Sequence, residues 1–70
     1  MDFTYVDSSS VDQIAYDEDQ GEAHVIFKRG AYYIYSGVTR EVWEQFRDST
    51  SKGTFVNEEF KAKGYLVRRA

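Results

Sequence analysis

Seventy residues with no cysteine, a formal net charge of −3 and twelve aromatic side chains (five Phe, six Tyr, one Trp) make one small domain, residues 1–70, near the lower size limit of a single core. That composition excludes a disulfide scaffold, and one histidine without cysteines excludes a structural zinc centre, so no metal or other cofactor is expected. No apolar run approaches the roughly 20 residues of a membrane span and the start is acidic, which leads us to expect a cytoplasmic protein with no membrane contact.

The charge is unevenly placed. Residues 1–27 carry seven acids and no Lys or Arg, whereas residues 28–70 carry nine bases and five acids, a split of −7 against +4. Such a division can set a basic face against an acidic one.

In chain order, Phe3 and Tyr5 alternate with Thr4 and Val6, a short edge strand, and Ser8–Ser10 reads as a turn. Val11–Tyr16, Glu22–Phe27 and Ala31–Tyr35 are apolar, β-branched and aromatic runs separated by polar or glycine-containing loops, the signature of an antiparallel meander. Thr39 is an N-cap for a helix over Arg40–Asp48, with Val42, Trp43 and Phe46 on its apolar face. Ser49–Gly53 breaks the pattern. A second helix covers Phe55–Lys63, with Val56 and Phe60 inward and Gly64 ending it. Tyr65–Val67 follows as a docked tail. The expected fold is α+β: a three-stranded antiparallel meander, with a short extra edge strand, and two helices packed on one face.

The loop at Lys28–Gly30 decides which way the central tyrosines point. A two-residue Arg29-Gly30 turn would put Tyr32 and Ile34 in the core with Val25 and Phe27. A three-residue loop with Gly30 left-handed would put Tyr33 and Tyr35 there instead. Arg-Gly is neither of the usual two-residue turn pairs, so the three-residue version is preferred. His24, Ile26, Tyr32 and Ile34 then form a second apolar patch on the face away from the helices, covered by the tail or by a partner.

No catalytic constellation emerges, and an enzyme is not expected. Asp17-x-Asp19-x-Gly21 lacks the remaining ligands of a calcium loop, and Lys28 stands where its glutamate belongs. No serine has the glycine elbow of a nucleophile, and Glu58 and Glu59 point apart on a helix. Ser51-Lys52-Gly53-Thr54 precedes a helix and offers backbone N–H groups to an anion, but Asp48 replaces the first glycine of a nucleotide-binding loop.

The ordered set Ser8-Ser9-Ser10-Val11, Ile14-x-Tyr16-Asp17, Val25-x-Phe27-x-x-Gly30, Tyr33-x-Tyr35-x-x-Val38, Ser51-Lys52-Gly53-x-Phe55-x-Asn57 and Tyr65…Arg68-Arg69 resembles the KTSC domain. Thr39 departs from it, where that family tends to have proline. The resemblance implies a small bacterial domain, found alone or at the C-terminus of some lysyl-tRNA synthetases, with no established activity and a proposed role in RNA binding.

Two functions compete. An RNA-binding domain, for tRNA or single strands, would use Lys52, Gly53, Arg68 and Arg69 for phosphate and Tyr33 and Tyr35 for stacking. A protein-interaction module or homodimer would bury His24, Ile26, Tyr32 and Ile34, and the net negative charge favours it.

Overall fold

Five antiparallel strands lie in one sheet in sequence order in the computed structural model, which describes Met1–Ala70. They are β1 (Thr4–Tyr5), β2 (Val11–Asp17), β3 (Glu22–Phe27), β4 (Tyr32–Ser36) and β5 (Val67–Arg69). Helix α1 (Arg40–Asp48) and α2 (Lys52–Phe55, continuing as a π-helical segment over Val56–Lys61) connect β4 to β5 across one face. The α+β class is as expected, but the sheet is larger than the three-stranded meander. The tail is a true strand: Val67, Arg68 and Arg69 pair with Tyr35, Ile34 and Tyr33 along the free edge of β4.

The β3–β4 hairpin has the preferred register. Val25 pairs with Tyr33 and Ala23 with Tyr35, while Phe27 N–H donates to Ala31 O and closes a loop of Lys28, Arg29 and Gly30. Gly30 has φ of 100°, a conformation that a side chain would strain, so glycine fixes the loop length and the loop fixes the faces. Tyr33 and Tyr35 therefore face the helices with Val25 and Phe27.

Aromatic rings fill the space between sheet and helices. Phe46 and Phe60 are fully buried, Tyr35 stacks on Phe60 at 4.8 Å, and Phe46 meets Phe60 and Phe55 at 5.2 Å each. Trp43 is half-buried and stacks on Tyr16 at 5.2 Å; the Tyr16 hydroxyl donates to Val38 O. Thr39 caps α1 as expected, its hydroxyl accepting from Val42 N–H at 3.2 Å.

The second helix begins earlier than its sequence pattern suggests. Ser51 is the N-cap and accepts from Thr54 N–H, which brings Lys52, Gly53 and Thr54 into the first turn. Glycine there does not break the helix; a Cβ on Gly53 would meet the Ser10 hydroxyl at 2.6 Å, so its absence lets α2 approach the β1–β2 connection. Gly64, at φ of 73°, ends the helix: its N–H bonds Lys61 O, Tyr65 N–H bonds Phe60 O, and the Tyr65 ring packs on Phe60 at 5.2 Å. Those are the two bonds and the apolar contact of a Schellman stop.

Candidate functional site

A groove of about 780 Å³ opens between the β3–β4 loop, the π-helical segment and the start of β5. Its size is that of a ligand site rather than a packing defect. The hairpin positions Phe27 and Tyr33 on the groove wall, the helix contributes Val56, Asn57 and Phe60, and the Schellman stop places Tyr65 opposite. Phe27 and Tyr33 meet edge to face at 5.9 Å. A π-helical turn displaces its residues sideways relative to an α-helix, and such turns recur at functional sites.

The rim is cationic. Arg29 lies over the Phe27 ring at 5.5 Å, Arg69 lies over the Tyr33 ring at 5.9 Å, and Lys28 and Lys61 border the same opening. No aspartate or glutamate lines it. Elsewhere four bases are neutralised: Arg40 pairs with Glu18 and Glu44, Arg47 with Asp48, Lys63 with Glu59 and Arg68 with Glu22, while the fifth, Lys52, is held by the Ser49 carbonyl. Lys28, Arg29, Lys61 and Arg69 have no carboxylate partner; the first three line the groove, and Arg69 lies against its Tyr33 wall.

The expected RNA-binding set is thus divided by the fold. Tyr33 and Gly53 line the groove, and Tyr35 lies at its floor, 3 % exposed, with burial and the neighbouring Tyr33 holding its phenol above the usual range. Arg69 belongs to the groove through Tyr33. Arg68 does not: neighbouring residues of a strand point to opposite faces, and Arg68 reaches Glu22 on the far face at 2.6 and 3.0 Å. Its charge in turn holds the Glu22 carboxyl below the usual range.

Lys52 is also elsewhere. Its residue is 8 % exposed, and its ammonium donates to Ser49 O, where α1 ends. A cation there satisfies a terminal carbonyl at the negative end of the helix. The Ser51–Thr54 turn has no free cation, and Thr54 and Phe55 N–H groups bond Ser51.

Phe27, Lys28, Arg29, Asn57, Lys61 and Tyr65 are among the groove residues outside the expected binding set. Lys28-Arg29 reads as turn punctuation, yet two bases at a hairpin tip beside Tyr33-x-Tyr35 were the available signal.

His24, Ile26, Tyr32 and Ile34 do share the far face of the sheet. His24 pairs with Ile34 and Ile26 with Tyr32. The chain itself covers much of this patch: the Phe3 ring packs edge-on against His24 and Tyr32, at 6.1 and 5.8 Å, and Arg68 lies opposite Ile34. His24 and Ile34 are each 7 % exposed. Burial holds the His24 imidazole below its usual range, against the pull of Glu22 and Asp17.

Comparison with known proteins agrees with the motif reading. The KTSC domain model matches residues 7–65. An uncharacterised protein of Stutzerimonas stutzeri (strain A1501) is 36 % identical over 62 residues, covering 89 % of this chain and 87 % of the relative. The crystal structure of the KTSC domain protein YPO2434 of Yersinia pestis superposes with a TM-score of 0.88 at 30 % identity, covering 99 % of this chain and 96 % of that one.

Proposed function

The chain belongs to the KTSC domain family, and from that premise we propose that it binds single-stranded RNA, or the unpaired bases of a folded RNA, in the groove between the β3–β4 hairpin and the second helix. One observation carries this reading: Lys28, Arg29 and Lys61, none with a carboxylate partner, line a groove walled by Phe27, Tyr33 and Tyr65, and Arg69, also without one, lies over the Tyr33 ring. Cations track a phosphate backbone whatever its sequence, and aromatic faces and guanidinium planes stack on unpaired bases. Asn57 and the serines at positions 9 and 10 offer hydrogen bonds at the edge. None of the seven acids of residues 1–27 lines this wall, and Asp7 lines a neighbouring hollow that shares Ser9, Ser10 and Asn57 with it.

The alternative, self-association through His24, Ile26, Tyr32 and Ile34, has less free apolar surface behind it, because Phe3 and Arg68 occupy that face.

The test is fluorescence anisotropy of a labelled single-stranded RNA at several salt concentrations. Lys28→Ala/Arg29→Ala/Lys61→Ala should weaken binding at low salt and reduce the salt slope by about 2 for three lost phosphate contacts. Tyr33→Ala should weaken binding by about 1–3 kcal/mol with the slope unchanged. Absence of binding at low salt, or a triple variant with the wild-type slope, refutes the reading.

A further inference from the structure

We propose that Asp17, Glu22 and His24 form a binding site for a divalent transition-metal ion of the zinc class, on the sheet face opposite the helices. The β2–β3 hairpin assembles the three. Asp17 and Glu22 are directly paired across it, and Glu22 and His24 alternate on β3, so all three side chains emerge on one face. An oxygen of each carboxylate and a ring nitrogen of His24 lie within 4.8 Å of one another.

The histidine makes this more than a pair of acids. His24 Nδ1 lies 2.7 Å from the Tyr32 hydroxyl, while Nε2 is buried and has no hydrogen-bond partner. A buried polar atom without a partner is uncommon and calls for an explanation. If Nε2 carried the proton, an adjacent carboxylate should accept it, and none is within hydrogen-bond reach. With the proton on Nδ1 and directed to the Tyr32 oxygen, Nε2 keeps a free lone pair on the face that carries Asp17 and Glu22. A metal ion shared with the two carboxylates satisfies that lone pair. An outer hydrogen bond that fixes the tautomer is the usual companion of a metal-ligating histidine.

Both carboxylates have capacity to spare. Glu22 Oε2 accepts from Ser36 and Arg68, but Oε1 accepts only from Arg68, which leaves a lone pair on it. Arg68 can therefore stay in place and orient the carboxylate. Asp17 accepts from Gln20 N–H on Oδ1 only. Imidazole with two carboxylates suits zinc and its neighbours better than calcium or magnesium, which prefer oxygen throughout. Bonds of about 2.0–2.2 Å need donor atoms roughly 3.4 Å apart in a tetrahedron, so the side chains close inward on the ion. Three protein ligands leave a fourth position for water or a further ligand.

The chain lends itself to a clean test, since His24 is its one histidine and it has no cysteine. Untagged protein is titrated with Zn²⁺ while the imidazole nitrogens are followed by ¹H–¹⁵N NMR and the heat by calorimetry. We expect one ion per chain, a shift of the Nε2 resonance, and binding weakened at least about tenfold in Asp17→Asn. Asp19→Asn, in the same loop, should bind as wild type. His24→Gln should abolish binding if it folds, and Asp17→Asn decides the matter if it does not. An imidazole unmoved at about 1 mM Zn²⁺, or an Asp17→Asn variant that binds as wild type, overturns the site.

Discussion

Arg69 lies over the ring of Tyr33, its guanidinium carbon 5.9 Å from the ring centre and on the side of the sheet that carries the helices. The neighbouring arginine, one residue earlier, is on the other side and bonded to Glu22. Strand alternation thus gives two adjacent, chemically identical residues different work: Arg68 ties β5 to β3, and Arg69 completes the rim of the groove. Arg69→Ala should accordingly weaken RNA binding with little loss of stability. Arg68→Ala should lower the urea midpoint and leave the affinity of the folded protein within about twofold, since a phosphate contact is not removed. The opposite assignment of effects would contradict the facing.

Lys52 separates structure from function in the same way. Its ammonium caps the end of α1 at Ser49 O rather than meeting solvent. Removing a charged donor from a part-buried carbonyl costs about 1 kcal/mol or more, so Lys52→Ala should shift the denaturation midpoint. RNA affinity, measured well below that midpoint, should be unchanged. A lysine whose loss abolished binding in a fully folded variant would place it in the site after all.

Core truncation should rank by burial. Phe46 is 0 % exposed and touches Trp43, Phe55 and Phe60, so Phe46→Ala should cost about 3–5 kcal/mol. Trp43 is half-buried, with one face on Tyr16, and Trp43→Ala should cost less than Phe46→Ala. Urea unfolding of the two variants checks the order; a larger loss at Trp43 would mean that the edge of α1, not its centre, anchors it.

Gly53 and Ser10 should be coupled. Alanine is the better helix former by about 1 kcal/mol, but its Cβ would meet the Ser10 hydroxyl at 2.6 Å. Gly53→Ala alone should therefore gain nothing. Combined with Ser10→Ala it should gain up to about 1 kcal/mol, a non-additivity that a double-mutant cycle reads directly. Additive effects would show that the approach of α2 to the β1–β2 connection is looser than the geometry indicates.

Acid should destabilise the protein in two stages. The folded state holds His24 below its ordinary value of 6.5, chiefly by burial, so it resists protonation that the unfolded chain accepts. Its contribution is present above that value and is lost as pH falls below it. Glu22 and Glu59 are held below their ordinary 4.5 by Arg68 and Lys63, so their contributions persist to lower pH and are lost as it falls through their depressed folded values. Stability measured against pH should decline below about 6.5 and again in the carboxylate range, and His24→Gln should remove the first decline only.

Some of this was legible in the sequence because a single residue tipped the choice between two local structures. Gly30 is such a residue: the loop needs a positive φ, and the φ of 100° found there sets the register and the faces of Tyr33 and Tyr35 together. Thr39 and Gly64 marked helix ends for equally local reasons. What the sequence could not display depends on partners distant in the chain. Val67-Arg68-Arg69 has no strand signature of its own, since its pairing comes from the open edge of β4. Lysine is rarely buried, so nothing at Lys52 announced that the end of α1 would receive it. Gly53 looked like a helix breaker because the residue that requires it, Ser10, is more than forty positions away. The groove rim mixes the hairpin tip, the second helix and β5, and only the folded chain shows that its unpaired cations coincide.

The most direct test of that coincidence is backbone amide NMR of the folded protein titrated with a short single-stranded RNA at low salt. Shifts should concentrate at Lys28–Gly30, Tyr33, Asn57–Lys61 and Arg69, and the amides around Phe3, His24 and Ile34 should stay in place. No shifts at all, or shifts confined to the far face of the sheet, would contradict the groove as the site where this domain meets RNA.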